Sequence, residues 1–360
     1  MLSSMKKSLL FACLVACLFF SVQALSAQRK PKNVIFLIGD GLGLSQIYAG
    51  MIANGNKLNL ERCTHSGFSK TYSSDNFTTD SGAGGTALAC GIKTKNGMIG
   101  MSPDSLPIQS ILELSKQNKL ATGIVTTCAV THATPACYIA HEVNRNMYDE
   151  IAADYVNSNV DVFIGGGLKY FEDRNDGRNL TNELKGKNYQ IAYNLQDVKA
   201  VKTGKLAGLL YDDQNPSMPE RGTMLPDATM SAIQILSTNK KGFFLIIEGS
   251  QIDWAGHDNN TGQLIKEVLD FDETVGQVLD FAQKDKNTLV IVTADHETGG
   301  FTVLDGKFGS KDMKAMFNSK NHTGVPVPVF SYGPGADNFC GIMENTSFKA
   351  KLEKLLKLKK

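Results

Sequence analysis

Five apolar, β-branched-rich runs pace the chain: Lys32–Ile38, Ala121–Thr127, Val160–Ile164, Gly242–Ile247 and Thr288–Thr293. They are continuous rather than alternating, the pattern of strands covered on both faces. Segments of helical spacing lie between them: Gly41–Asn54, Pro107–Asn118, Tyr138–Tyr155, Asp227–Leu236 and Asn260–Phe281. A last strand is predicted at Pro326–Tyr332 and a closing helix at Phe348–Lys360. Such alternation predicts an α/β fold, a mostly parallel central sheet flanked by helices on both faces. No internal repeat or linker-like tract divides the chain, so a single large domain is expected over residues 28–360. The polar, weakly periodic stretch Phe171–Pro226 reads as loops and short elements rather than core.

Met1–Ala27 has another character. Lys6 and Lys7 precede an apolar run, Leu9–Phe20, and small residues Ala24, Ser26 and Ala27 follow. This is the pattern of a secretory signal peptide, with cleavage expected after Ala27 or alternatively Ala24. It implies export to the periplasm or medium and no membrane span once removed. Leu14-Val15-Ala16-Cys17 resembles a lipoprotein box, but the apolar continuation Leu18–Phe20 argues against lipidation there. The formal net charge of +1 gives no reason to expect a nucleic-acid partner. Cys63, Cys90, Cys128, Cys137 and Cys340 remain after the leader, an odd number without CxxC spacing. Buried free thiols are the simpler reading, and one or two disulfides the alternative.

Chemistry collects where the strands end. Ligands of open α/β sheets gather at the carboxyl ends of strands, and these ends read Gly39-Asp40-Gly41, Glu248 and Asp295-His296. Asp253 and His257 follow Glu248, at a spacing that puts both on one side of a helix. His132 and Thr134 follow the second of the five runs, and His322 precedes Pro326. The chain has six histidines, and only His65 and His141 fall elsewhere. Carboxylate with imidazole is a zinc donor set, and oxygen donors such as Asp, Glu and Thr suit magnesium. Separately, Thr79-Asp80-Ser81 runs into Gly82-Ala83-Gly84-Gly85, which places Ser81 at a helix N-terminus. Unpaired N–H groups and the helix dipole favour an anion there. Each piece alone has a plain reading: an N-cap, a turn, a polar loop. Their conjunction points to a polymetal site beside a nucleophile.

Taken together, these motifs resemble the secreted bacterial alkaline phosphatases. The matching pieces are Gly39-Asp40-Gly41, Thr79–Ala83, His132–Ala136 with Arg145, Glu248 through His257, Thr293–Gly300 and His322-Thr323-Gly324, in family order. The resemblance implies metal-dependent hydrolysis of phosphate monoesters, with broad specificity, through a phosphoserine on Ser81. It implies that Asp253, His257 and His322 hold one zinc, and that Asp40, Asp295 and His296 hold a second. Asp40, Thr134 and Glu248 would hold magnesium, and Arg145 would clamp phosphate. His132 and Trp254 stand where some relatives carry Asp and Lys. A histidine there could exchange magnesium for zinc, and Trp254 is a candidate substrate contact or a packing residue. Relatives are commonly dimers, so a homodimer is a candidate state, although this shorter chain has less room for interface insertions. The competing readings are a phosphodiesterase or sulfatase-like relative, and an exported phosphate- or zinc-binding protein without turnover.

Overall fold

A computed structural model describes residues 30–310 and 313–359. The signal-peptide reading, with Cys13 and Cys17, lies outside them. In chain order the first strands are β1 (Asn33–Gly39), β2 (His65–Lys70), β3 (Ala121–Ala129) and β4 (Val162–Gly166). Next come β5 (Tyr189–Ala192), β6 (Lys205–Leu209), β7 (Phe243–Gly249) and β8 (Thr288–Thr293). The short β9 (Glu297–Thr298), β10 (Phe301–Gly306), β11 (Met313–Phe317) and β12 (His322–Thr323) form two small pairs, β10–β11 and β9–β12. Finally, β13 (Val327–Tyr332) and β14 (Gly341–Glu344) rejoin the main sheet. That sheet has ten strands in the order β14-β2-β13-β8-β1-β7-β3-β4-β6-β5. β13 alone runs antiparallel to its neighbours.

The helices are α1 (Leu44–Ala53), α2 (Ser81–Cys90), α3 (Ile111–Gln117), α4 (Ala133–Ala136), α5 (Tyr148–Ser158) and α6 (Lys169–Glu172). They continue as α7 (Leu180–Gly186), α8 (Leu195–Ala200), α9 (Met224–Leu236), α10 (Gln251–His257), α11 (Thr261–Asp285) and α12 (Ser347–Leu356). Alternate residues of β1 feed two apolar cores, one on each face. Val34, Phe36 and Ile38 pack with α2, α3, α5 and α12. Ile35 and Leu37 pack with α1, α9 and α11. This double cover explains why the central strands carry no polar alternation.

Three expectations need correction. The predicted helix over Tyr138–Tyr155 begins only at Tyr148, because the segment before it is pinned by tertiary bonds. Ile99 and Glu142 exchange backbone hydrogen bonds, and the Arg145 N–H donates to Gly97 O at 2.7 Å. The segment Phe171–Pro226 does hold short elements, but it is not outside the core: β5 and β6 extend the main sheet in parallel, with Leu206, Ala207 and Leu209 fully buried. Pro326–Tyr332 is not the last strand, since β14 follows and pairs with β2. All five described cysteines are free. Cys90, Cys128 and Cys137 are buried as expected, whereas Cys63 is half-buried and Cys340 is exposed.

Small residues let α2 sit deep. A Cβ on Gly85 would lie 2.9 Å from Cys137 Sγ. Gly85→Val is therefore expected to destabilise the protein by about 1–3 kcal/mol, the range for overpacking a tight core. Urea midpoints read this directly, and an unchanged midpoint would contradict the close packing of α2 on α4.

Candidate active site

β8, β1, β7 and β3 are adjacent in the sheet. Their carboxyl ends converge Asp295-His296, Asp40, Glu248 and Thr126–Ala129 on one spot. Gly41 makes the approach possible. Its φ is +72°, and a Cβ there would lie 2.7 Å from Asp253 Cα, so only glycine lets α10 come this close.

One donor group consists of Asp253, His257 and His322. Asp253 and His257 share a face of α10, as their spacing predicts. Their mutual Oδ2–Nε2 distance is 3.3 Å, and His322 Nε2 lies 3.3 Å from Asp253 Oδ1. The Nδ1 atoms face backbone carbonyls, Lys320 O at 2.5 Å from His257 and Thr79 O at 2.9 Å from His322. Carbonyls only accept, so each Nδ1 carries its proton. Both Nε2 atoms, 3.0 Å apart, then face the Asp253 carboxylate. Such an arrangement suits a cation, with a proton on His257 as its alternative occupant.

A second group lies deeper. His296 Nε2 is 3.3 Å from Asp40 Oδ1 and 3.2 Å from Asp295 Oδ2. Both oxygens are buried without a hydrogen-bond partner, a costly state unless a cation satisfies them. Ser81 opens α2, is 2% exposed, and has its Oγ 3.3 Å from His296 Nε2. The helix is capped by Asp80, whose Oδ1 accepts from Ala83 N at 2.9 Å. Asp80 Oδ2 accepts from Arg145 Nη1, also at 2.9 Å. Arg145 thus reaches the site from an irregular segment rather than from a helix face. One side of its fork is held and the rest left for an anion.

The third group brings Thr134 Oγ1 to 3.2 Å from Asp40 Oδ2, with Glu248 and His132 close by. The Trp254 ring meets His132 edge-on, with centroids 5.9 Å apart. Burial, then the neighbouring Asp295, Asp253 and Glu248, push Asp40 well above the usual carboxylate range. Burial likewise raises Glu248 to about 7. Burial opposes ionisation of Asp253, but its bonds to His257 and His322 outweigh that and hold it well below its ordinary value. The Asp253 bond lifts His257 to about 9, and burial lowers His132 to about 4. Too many acids for too few cationic side chains is the electrostatic signature of a metal centre. The carboxylate–imidazole donors fit divalent cations of the zinc type.

Sequence reasoning gave no role to three supporting residues. Thr298 Oγ1 bonds Asp253 Oδ1, Thr126 Oγ1 bonds Glu248 Oε2, and Asp80 anchors Arg145. Thr298 and Asp80 stand inside motifs quoted for other reasons; nothing in the sequence marks Thr126.

The alkaline phosphatase family profile matches residues 31–318. Alkaline phosphatase 4 of Bacillus subtilis is 36% identical across 92% of this chain and 91% of that protein. The Escherichia coli alkaline phosphatase is 31% identical across 93% of this chain and 88% of that protein. The solved alkaline phosphatase from the Antarctic bacterium TAB5 superposes with a TM-score of 0.88 at 44% identity, covering 92% of this chain and 100% of that one. A variant of the TAB5 enzyme with glutamate in place of a histidine, solved with Mg bound in its M3 site, superposes with a TM-score of 0.87 at 42% identity and the same coverage.

Proposed function

Because the chain belongs to the alkaline phosphatase family, we propose that Ser81 carries the phosphoryl group during turnover and that Arg145 holds it. The activity itself is metal-dependent hydrolysis of phosphate monoesters through a covalent enzyme intermediate. The observation that supports these roles is Ser81 Oγ at a helix N-terminus, 3.3 Å from His296. The Ser81 hydroxyl gives up its proton to solvent and Oγ attacks phosphorus. The bond from phosphorus to the substrate oxygen breaks, and the departing alkoxide takes a proton from solvent and leaves as the alcohol. Water then attacks phosphorus, the Oγ–phosphorus bond breaks, Oγ regains a proton, and inorganic phosphate is freed. Backbone N–H groups of the first turn of α2 and the Arg145 fork bind the equatorial oxygens.

Asp253, His257 and His322 would hold one zinc, and Asp40, Asp295 and His296 a second. Asp40, Thr134 and Glu248 would hold a third cation, magnesium or zinc. Bound there, the cations would supply Lewis acidity, lowering the pKa of hydroxyl and water and neutralising charge on the reacting oxygens. His132 favours zinc in the third position. The exchange in the TAB5 variant, carboxylate for imidazole with Mg in the M3 site, runs in the direction that magnesium chemistry favours. Among the described residues no helix is long and apolar enough to cross a membrane. With Met1–Ala27 read as a cleaved leader and residues 28–360 as the catalytic domain, the protein would be exported. A homodimer is the assembly to test first by light scattering.

The test compares kcat/KM for p-nitrophenyl phosphate and bis-p-nitrophenyl phosphate with zinc and magnesium supplied. The monoester should win by roughly 10³-fold or more, because the site's donors expect a dianionic phosphoryl group. Arg145→Lys should lower monoester kcat/KM by ~10²-fold, as expected for losing one charged donor of a preorganised set. The loss should appear in kcat as well as KM, with weaker inhibition by inorganic phosphate. Equal or better diester hydrolysis would overturn the monoesterase assignment of Arg145 and favour a diesterase or sulfatase-like reading.

A further inference from the structure

Behind the third cation position lies a residue that the phosphatase reading leaves idle. β3 departs from regular pairing just before it ends. Val125 pairs with Ile164, but the next partner of β4, Gly166, pairs with Ala129. The extra residues make a bulge, a device that re-aims side chains next to active sites. It turns Thr126 and Cys128 onto one carboxylate. Thr126 Oγ1 bonds Glu248 Oε2, Cys128 Sγ lies 3.3 Å from the same oxygen, and Sγ and Thr126 Oγ1 are 3.0 Å apart. Donor atoms of Cys128, His132 and Glu248 all fall within 4.8 Å of one another. Cys128 and Glu248 are both fully buried. Two further atoms there, Glu248 Oε1 and His132 Nδ1, are buried without any hydrogen-bond partner.

Cys128 Sγ also lies 3.3 Å from Ala129 O, a contact of the kind the other two buried thiols make. Cys137 Sγ lies 3.2 Å from Gly82 O, and Cys90 Sγ lies 3.3 Å from Ile108 O. Neither belongs to a donor group among the described residues. They are packing residues; Cys128 is placed among metal donors.

We propose that Cys128 is a ligand of the third cation together with Glu248 and His132, and that this site takes a thiophilic divalent ion such as zinc in preference to magnesium. The proposal rests on the three-cation reading above. Magnesium binds oxygen donors in near-ideal octahedra and has little affinity for sulfur. Thiolate, imidazole and carboxylate together are a zinc set. Binding replaces the thiol proton: the S–H bond breaks, sulfur keeps the electron pair and donates it to the cation, and one proton leaves to solvent.

The test uses the full mature protein, stripped with a chelator and reloaded stepwise with cobalt(II) alone. Bound cobalt is counted by elemental analysis, and the near-ultraviolet sulfur-to-cobalt charge-transfer band is followed. The wild-type protein should bind three equivalents, and the band should rise with one of them. Cys128→Ser should lose the band, keep two equivalents and bind the third ~10–100-fold more weakly. Three equivalents without a band in the wild type would overturn the proposal while leaving the phosphatase metal centre intact. A band that persists in Cys128→Ser would overturn it too, by assigning the sulfur elsewhere. Fewer than three equivalents in the wild type would instead remove the third-cation reading on which it stands. A wild type without the band overturns the proposal whatever the variant does, and if Cys128→Ser folds poorly, Cys128→Ala takes its place with the same loss of the band expected.

Discussion

Ser81→Ala is expected to lower kcat/KM for p-nitrophenyl phosphate by roughly 10³-fold or more, the scale of removing a covalent nucleophile. In the proposed mechanism Ser81 Oγ is the attacking atom. The fold should tolerate the change. Asp80, not Ser81, caps α2 through Ala83 N, and alanine has high helix propensity. Stability should therefore change by no more than about 1 kcal/mol, the net worth of one hydrogen bond. Inorganic phosphate should still bind, because the N–H groups of α2 and Arg145 remain. Mass spectrometry of acid-quenched wild-type protein should find phosphate on the peptide containing Ser81, and none there in the variant. A variant that keeps most of its turnover would remove Ser81 from the chemistry. A wild type without turnover, but with phosphate affinity that survives the substitution, would mean a binding protein.

The parts of the fold visible in the sequence are those where burial imposes a pattern. β1, β7 and β8 lie at the sheet centre, covered by helices on both faces, and their apolar runs could hardly be anything else. Their ends were equally visible, since Asp40, Glu248 and Asp295 are acids directly after apolar runs. β2 escaped notice because its sequence His-Ser-Gly-Phe-Ser-Lys buries Gly67 and Ser69 and exposes Phe68, which inverts the hydropathy signal of a strand. β5 and β6 are four and five residues long, too short to show a period inside a polar stretch. The helix expected over Tyr138–Tyr155 failed in its first part for a different reason. His141 is held by Gly100 O and Glu113, and Glu142 by Ile99. Long-range bonds overrode local spacing there and set Arg145 where Asp80 could reach it. The motifs carried the donor residues, but not what orients them. Thr298 meets Asp253 across 45 positions, and Thr126 meets Glu248 across 122. No local pattern records a hydrogen bond between residues that distant.

Chelation is expected to abolish turnover and to lower the melting temperature, with the loss of stability larger at pH 9 than at pH 6.5. Asp40, Asp253, Asp295 and Glu248 are buried together. Without cations, their repulsion is relieved only by protons, by the site's histidines and by Arg145. Glu248 is raised from 4.5 to about 7 by burial, and His257 from 6.5 to about 9 by its bond to Asp253. Both groups hold protons in the folded state at pH values where the unfolded chain has released them. The folded state then binds more protons, so stability falls as pH rises, from 4.5 to about 7 for Glu248 and from 6.5 to about 9 for His257. His132 works the other way. Burial lowers it from 6.5 to about 4, so its share of stability grows with pH up to 6.5. Below pH 6.5 the two trends oppose each other; above it only the loss remains. Asp253, held low, loses its stabilising share only in acid below its ordinary 3.8. Added zinc should reverse the slope, since its ligands must be deprotonated. Each site filled at ~100 times its Kd would add about 2.7 kcal/mol. Thermal scans at pH 6.5, 8 and 9, with chelator and with zinc, measure both effects. If chelated protein kept its activity and melted at the same temperature throughout, the cluster would be a self-sufficient polar network. The unpartnered oxygens of Asp40 and Asp295 would then need another explanation.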